Sequence, residues 1–234
     1  MLTASSGVVF GQDIGHLKVE KLDLFDASRS RSVPVTLYFS DKQAGKKVAI
    51  LNHGYGIENT AYTFLAKNLV HLGYTVASIQ HQLSTDEPMP TTGNVYAARK
   101  PSWERGVENI IFVLKEIKKI KPALETGRPL LIGHSHGGDT AMLFASEHPG
   151  QVKYVISLDN RRMPIPRVAR PRILTIRSSD QPADPGVLPS EAECRKYHIK
   201  IKKLADTIHN DMWDGATDNQ KLEINRIITD FLIK

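Results

Sequence analysis

Residues 130–138 read LLIGHSHGG, and no other stretch of this chain restricts its fold so tightly. Apolar Leu130, Leu131 and Ile132 form the end of a strand covered on both faces, and a helical pattern begins just past Ser135. A chain that passes from strand to helix in so few residues must hold the serine in a strained backbone conformation. The residues two before and two after it must then lack side chains, a condition that Gly133 and Gly137 meet. Gly138 lets the following helix lie close on the sheet. The hydroxyl ends at the positive N-terminus of that helix, where a developing anion is stabilised. The pattern is the G-x-S-x-G nucleophile elbow in its strand–turn–helix setting.

The two histidines beside Ser135 invite a metal or built-in-base reading, and neither holds. Side chains adjacent to an elbow serine project away from its hydroxyl, and H-x-H has no third ligand at useful spacing. His134 and His136 are therefore expected to pack or to wall the pocket. His136 also contributes its backbone N–H, one half of an oxyanion hole.

Strand and helix patterns alternate along the rest of the chain. Leu17–Phe25 and Val33–Phe39 alternate apolar and polar with period two, as a half-covered antiparallel hairpin does. Lys47–Asn52 is continuously apolar from Val48 to Leu51, as a strand buried on both faces should be. A helix is expected from an Asn59 N-cap, with Phe64, Leu65, Leu69 and Leu72 on one stripe and Gly73 at its C-terminal end. Tyr74–Gln80 is the next strand. The Pro- and Thr-rich stretch 81–101 reads as a long loop, and Ser102 as the start of a helix with its stripe on Trp103, Val107, Ile110 and Ile117. Further strands are expected near 152–159, 171–180 and 198–205, with a short helix around Glu191 and a final amphipathic helix through Ile224, Ile228 and Phe231. Such alternation argues a mostly parallel sheet with helices on both faces, built as one domain over 1–234.

Bulk properties exclude several classes. The 234 residues hold a single cysteine, Cys194, so no internal disulfide forms. No apolar run is long enough to span a membrane. The N-terminal stretch lacks the basic region and long apolar run of a signal peptide, so a cytoplasmic location is expected, or a periplasmic or secreted one if a leader has been removed. The net charge of +6 sits on lysines of predicted solvent faces, in Lys115–Pro122 and Lys196–Leu204, without interleaved aromatics. A nucleic-acid platform is not expected there.

The stretch LNHGYG (Leu51–Gly56), after the buried strand, completes a resemblance: the chain looks like a member of the α/β-hydrolase superfamily. The resemblance runs over nearly the whole chain and implies an eight-stranded, mostly parallel sheet. It places the second oxyanion donor at the backbone N–H of Tyr55. It places the general base, which a weakly nucleophilic serine requires, at His209 in ADTIHNDMWDGA. The orienting acid maps onto Asp180 in ILTIRSSDQPADP, with Asp159, ending VISLDN, as the alternative and Asp184 a weaker choice. Asp206, Asp211 and Asp214 resemble loop and N-cap carboxylates instead.

About ten residues separate the sixth and seventh predicted strands, so no cap domain is expected, and the branch resembled is that of small lid-less esterases, acetylhydrolases and dienelactone hydrolases. The 81–94 loop is then the candidate wall of the pocket. Arg161 and Arg162 fall at its rim, either facing solvent or favouring an anionic acyl group. The implied activity is cleavage of small-molecule carboxylic esters through an acyl-enzyme, with no metal or organic cofactor. Thioester or amide cleavage by the same residues, and ligand binding on a hydrolase scaffold, are the alternatives. The oligomeric state is left open.

Overall fold

The hairpin and the buried strands join in one eight-stranded sheet of order β1-β2-β4-β3-β5-β6-β7-β8. The structure, a computed structural model, describes residues 17–42 and 45–233; the N-terminal stretch considered for a leader lies mostly outside them. The strands are β1 (Leu17–Asp26), β2 (Arg31–Ser40), β3 (Lys47–Asn52), β4 (Tyr74–Ile79), β5 (Glu125–His134), β6 (Tyr154–Leu158), β7 (Arg172–Arg177) and β8 (Lys200–Lys203). β1 pairs antiparallel with β2, and β2 with β4. Every pairing from β4 through β3 to β8 is parallel.

Strand periodicity explains the two cores. In β5, Leu131 faces a core with Trp103, Val107 and Ile110 of α2 (Val95–Ile120) and Ala141 to Ala145 of α3 (His136–Glu147). Leu130 and Ile132 face the opposite core, with Leu65 and Leu69 of α1 (Thr63–His71) and Ile224, Ile228 and Phe231 of α5 (Asp218–Ile233). The short α4 (Glu191–Tyr197) leans on the first core through Cys194 and Tyr197. No helix or strand lies between β6 and β7, so no cap domain stands over that end.

Two helix starts differ from expectation. α1 begins at Thr63, not beside Asn59. Asn59 is buried and ties two strands instead, donating from Nδ2 to the Ser78 carbonyl at 2.8 Å. The distant Asp214 serves the helix start: its carboxylate accepts from the amides of Thr63 (2.8 Å) and Phe64 (3.0 Å), a cap of the kind worth about 1 kcal/mol. α2 begins at Val95, seven residues before Ser102, with the Asn94 side chain accepting from the Ala97 amide at 3.1 Å. Pro101 lies inside this helix. It removes one helical hydrogen bond and crowds the carbonyl of Ala97, yet the helix continues past it.

Candidate active site

Ser135 is the pivot. It sits between β5 and α3 at φ 52° and ψ −116°, a left-sided conformation that non-glycine residues rarely hold. The packing around it compels this bend. A Cβ on Gly133 would fall 2.2 Å from the Gly137 carbonyl oxygen, and one on Gly137 would fall 2.2 Å from the Asn52 carbonyl oxygen. No side chain fits at either position. The Ser135 amide donates to the Leu158 carbonyl at 2.8 Å, which locks the bend to the end of β6.

His209 arrives from far downstream in a one-turn 3-10 helix, His209–Asp211. The Ser135 hydroxyl donates to its Nε2 at 3.0 Å, and its Nδ1–H donates to Asp159 Oδ2 at 2.6 Å. This corrects the preferred acid. Asp180 does not reach the ring; its Oδ1 accepts from the His209 backbone amide at 2.7 Å. The reason is strand order. β6 is the neighbour of β5, and Asp159 leaves it at once with φ 56°, level with the serine turn. Asp180 lies three residues past the end of β7, on an exposed stretch. Asp184 is no closer in role: its amide donates to the Arg161 carbonyl.

Asp159 is fully buried and amply held. Ser178 donates to it from its hydroxyl (2.7 Å) and its amide (3.1 Å). Arg177 Nη2 stands 2.8 Å from Oδ1, although no N–H of that nitrogen points at the oxygen, so the contact is Coulombic. Burial opposes ionisation here more than any other single influence. The His209 bond, the Arg177 charge and the Ser178 bonds together outweigh it, and the carboxyl is held below its ordinary range. Nothing in TIRSSD marks Arg177 and Ser178 apart from ordinary strand-end residues, so the sequence alone does not point to them.

The two histidines flanking Ser135 diverge to opposite faces. His136 accepts from the Trp103 indole N–H at 2.8 Å and donates to Ser102 Oγ at 3.2 Å, on the α2 side. His134 continues the alternation of Leu130 and Ile132 and faces α1. There the Gly54 amide donates to the Tyr62 hydroxyl (3.0 Å), which donates to His134 Nδ1 (2.8 Å). His134 Nε2–H in turn donates to the His209 carbonyl at 3.0 Å. The ring is thus more than a pocket wall: it joins the 52–56 loop to the backbone of His209. Burial above all, then the neighbouring His209, pushes its pKa down to about 3. Burial likewise lowers His136 to about 3, so both rings stay neutral. Among the described residues, no group of three or more His, Cys, Asp or Glu could hold a metal ion.

The 52–56 loop is fixed from below. The Asn52 side chain donates to the Ile132 carbonyl and accepts from His81 Nε2–H, while His53 donates to the Gly54 carbonyl and accepts from the His81 amide. The Tyr55 hydroxyl accepts from the Met89 amide at 3.0 Å, which brings the 81–94 loop over this edge. The amides of Tyr55 and His136 meet no acceptor among the described residues.

Comparisons with known proteins agree with the fold. A family model described as serine aminopeptidase, S33, matches residues 43–158. No curated protein matches the chain. A predicted CIB-like hydrolase from Thermoplasma acidophilum superposes with a TM-score of 0.61 at 16% identity, over 92% of this chain and 98% of that one. A dienelactone hydrolase-like promiscuous phosphotriesterase from metagenomic libraries gives 0.65 at 13%, over 92% and 96%. A fungal esterase from Rhizomucor miehei gives 0.67 at 13%, over 92% and 82%. At such identities the likeness is one of fold.

Proposed function

The chain belongs to the α/β-hydrolase superfamily, and from that premise we propose that it is a serine hydrolase of small carboxylic esters. The observation that carries the reading is the unbroken line from Ser135 Oγ through the His209 ring to Asp159. His209 Nε2 takes the hydroxyl proton as Ser135 attacks the ester carbonyl carbon. Asp159 holds the Nδ1–H tautomer and stabilises the imidazolium that forms. The amides of Tyr55 and His136 receive the oxyanion. His209 then returns the proton to the departing alcohol, leaving an acyl-enzyme. A water molecule, deprotonated by the same ring, releases the acid and restores Ser135. These steps are proton and acyl transfers and call on no cofactor.

The test is labelling with a fluorophosphonate, read by mass spectrometry of the peptides. The adduct is expected on Ser135 and absent from Ser135→Ala, whose kcat on 4-nitrophenyl acetate should fall about a thousandfold or more. A label on another residue, or activity retained in that variant, would overturn the reading. A second reading, amide or peptide-bond cleavage, draws support from the S33 aminopeptidase match. Matched esters, thioesters and anilides separate the two.

A further inference from the structure

The charges beside Ser135 bear on which esters suit the site, a question that rests on Ser135 being the nucleophile. Three arginines near the carboxyl end of the sheet are matched to a carboxylate of the fold. Arg31 donates from Nη1 and Nη2 to both oxygens of Asp86, each at 2.7 Å, and Arg105 shares that carboxylate at 3.4 Å. Arg177 faces Asp159.

Three others are not so matched. Arg99 Nε donates to the Pro90 carbonyl at 2.8 Å, and Arg161 Nη1 to the Gln181 amide oxygen at 2.6 Å, both neutral partners. Arg162 has its nearest carboxylate oxygen, on Asp184, 4.0 Å from Nε, beyond hydrogen-bond reach. The Nε atoms of Arg161 and Arg162 are buried with no hydrogen-bond partner among the described residues. The other carboxylate nearby, Asp139, is buried and turned to backbone, accepting from the Arg162 and Met163 amides at 2.9 Å. Among the described residues, none of the three guanidiniums therefore donates a hydrogen bond to a carboxylate of the fold.

The fold gathers these three beside the reacting serine. Arg99 lies one turn before Trp103, whose indole N–H is bonded to the ring of His136, the residue after Ser135. Tyr96, in the turn before Arg99, rests its hydroxyl on Met163 Sδ at 3.9 Å, which brings the start of α2 against the residue next to Arg162. Arg161 and Arg162 follow Asp159 and Asn160 directly. The charges also act on one another: burial first, then Arg162 and Arg161, lower the Arg99 pKa, and the His136 ring is disfavoured as a cation by burial first, then by His53 and by Arg99, Arg105 and Arg162. Like charges that act on one another in partly dry surroundings are costly unless an anion joins them. The planar forks suit two oxygens of one acid group.

We propose that Arg99, Arg161 and Arg162 form an oxyanion subsite beside Ser135, selecting esters that carry a second, ionised acid group, a carboxylate or a phosphate. Two matched pairs test it and separate the sources: 4-nitrophenyl hydrogen adipate against 4-nitrophenyl hexanoate, and 4-acetoxyphenyl phosphate against 4-acetoxyanisole. The wild type should favour the charged member of one pair or both by about tenfold or more in kcat/KM, and 0.5 M NaCl should shrink that ratio. Arg99→Gln with Arg162→Gln should lower the ratio about tenfold, while the lysine double variant keeps part of it. Arg195→Gln, on the exposed face of α4, serves as the control and should leave it alone. A ratio at or below one in both pairs, or one insensitive to the glutamine pair, would overturn the subsite while neutral-ester turnover upholds the nucleophile. Calorimetry of Ser135→Ala with 4-nitrophenyl hydrogen adipate reads binding without turnover. Arginine-dependent binding in a protein that cleaves neither pair would keep the subsite and sink the esterase reading.

Discussion

The segment leaving β6 and the segment leaving β7 each carry an aspartate to His209, and they hold it differently. Asp159 comes off β6 with a positive φ, is sealed from water, and grips the imidazole. Asp180 comes off β7 two serines later, stays exposed, and grips the backbone amide. The difference teaches that reach to the ring is set by strand adjacency. β6 borders β5, so its last carbonyl already binds the Ser135 amide and the next residue is level with Ser135. A residue on β7 starts one strand farther away.

The largest effect that would break this contrast is on Asp159. Asp159→Asn keeps one oxygen for the Ser178 amide but turns an NH2 group toward the ring, which cannot accept from Nδ1–H and so favours the wrong tautomer. It also leaves Arg177 without its counter-charge. We expect kcat to fall about ten-thousandfold, the scale seen when the acid of such a triad becomes an amide. Steady-state kinetics on 4-nitrophenyl acetate measures it. A loss under tenfold would mean that some other group orients His209.

A middle-sized effect separates the two segments by burial. The rings of His134 and His136 are dry, and burial lowers both to about 3 from an ordinary 6.5. Burial depresses His53 and His81 in the same direction. The unfolded chain therefore binds more protons below about pH 6.5, and the stability that neutral rings contribute is lost as pH falls from there toward 3. Between pH 7.5 and 5, His134 and His136 together account for about 4 kcal/mol. Asp139 works the other way: burial raises it from 3.8 to about 6, so the folded state gains its proton first and recovers about 1 kcal/mol over the same span. Urea unfolding at the two pH values should show a net loss of about 3 kcal/mol or more, a large part of an ordinary domain's stability. Asp139→Asn, which keeps an acceptor for the Arg162 and Met163 amides, should steepen the loss. Stability flat between these pH values would contradict the neutral-ring account.

The sequence announced much of this architecture, and the reasons are local. Period-two patterns gave the hairpin, continuous apolar runs gave the central strands, and glycines at 133 and 137 required the bend because backbone fills the space a Cβ would need. That Ser135 and His209 would face each other was legible from the bend and from element order. What escaped was non-local. The start of α1 depends on a carboxylate 150 residues away, Asp214, so Asn59 passed for its cap. Pro101 read as a boundary, although the helix runs through it from Asn94. The choice of acid depended on which strand neighbours β5, and pairing order is not written in spacing. His134 was legible and missed: alternation from Leu130 through Ile132 already put it on the α1 face.

The smallest effect falls on Asp180, and it bears on whether the β7 segment matters at all. Its exposed carboxylate accepts one hydrogen bond, from the amide of the buried His209, and water competes for the carboxylate. Removing such a bond at an exposed site costs about 1 kcal/mol. His134 already ties the His209 carbonyl, and Asp159 ties the ring, so the histidine stays in place when the amide is freed. Asp180→Ala should therefore lower kcat about tenfold at most, with the pH dependence of kcat unchanged. Asp180→Asn retains an acceptor oxygen and should lose less than the alanine variant. The asparagine pair makes the comparison sharp: the same change at 159 and 180 should differ by about three orders of magnitude in kcat. If Asp180→Asn proved as damaging as Asp159→Asn, the ring would have to exchange partners during turnover, and strand adjacency would no longer explain the choice of acid.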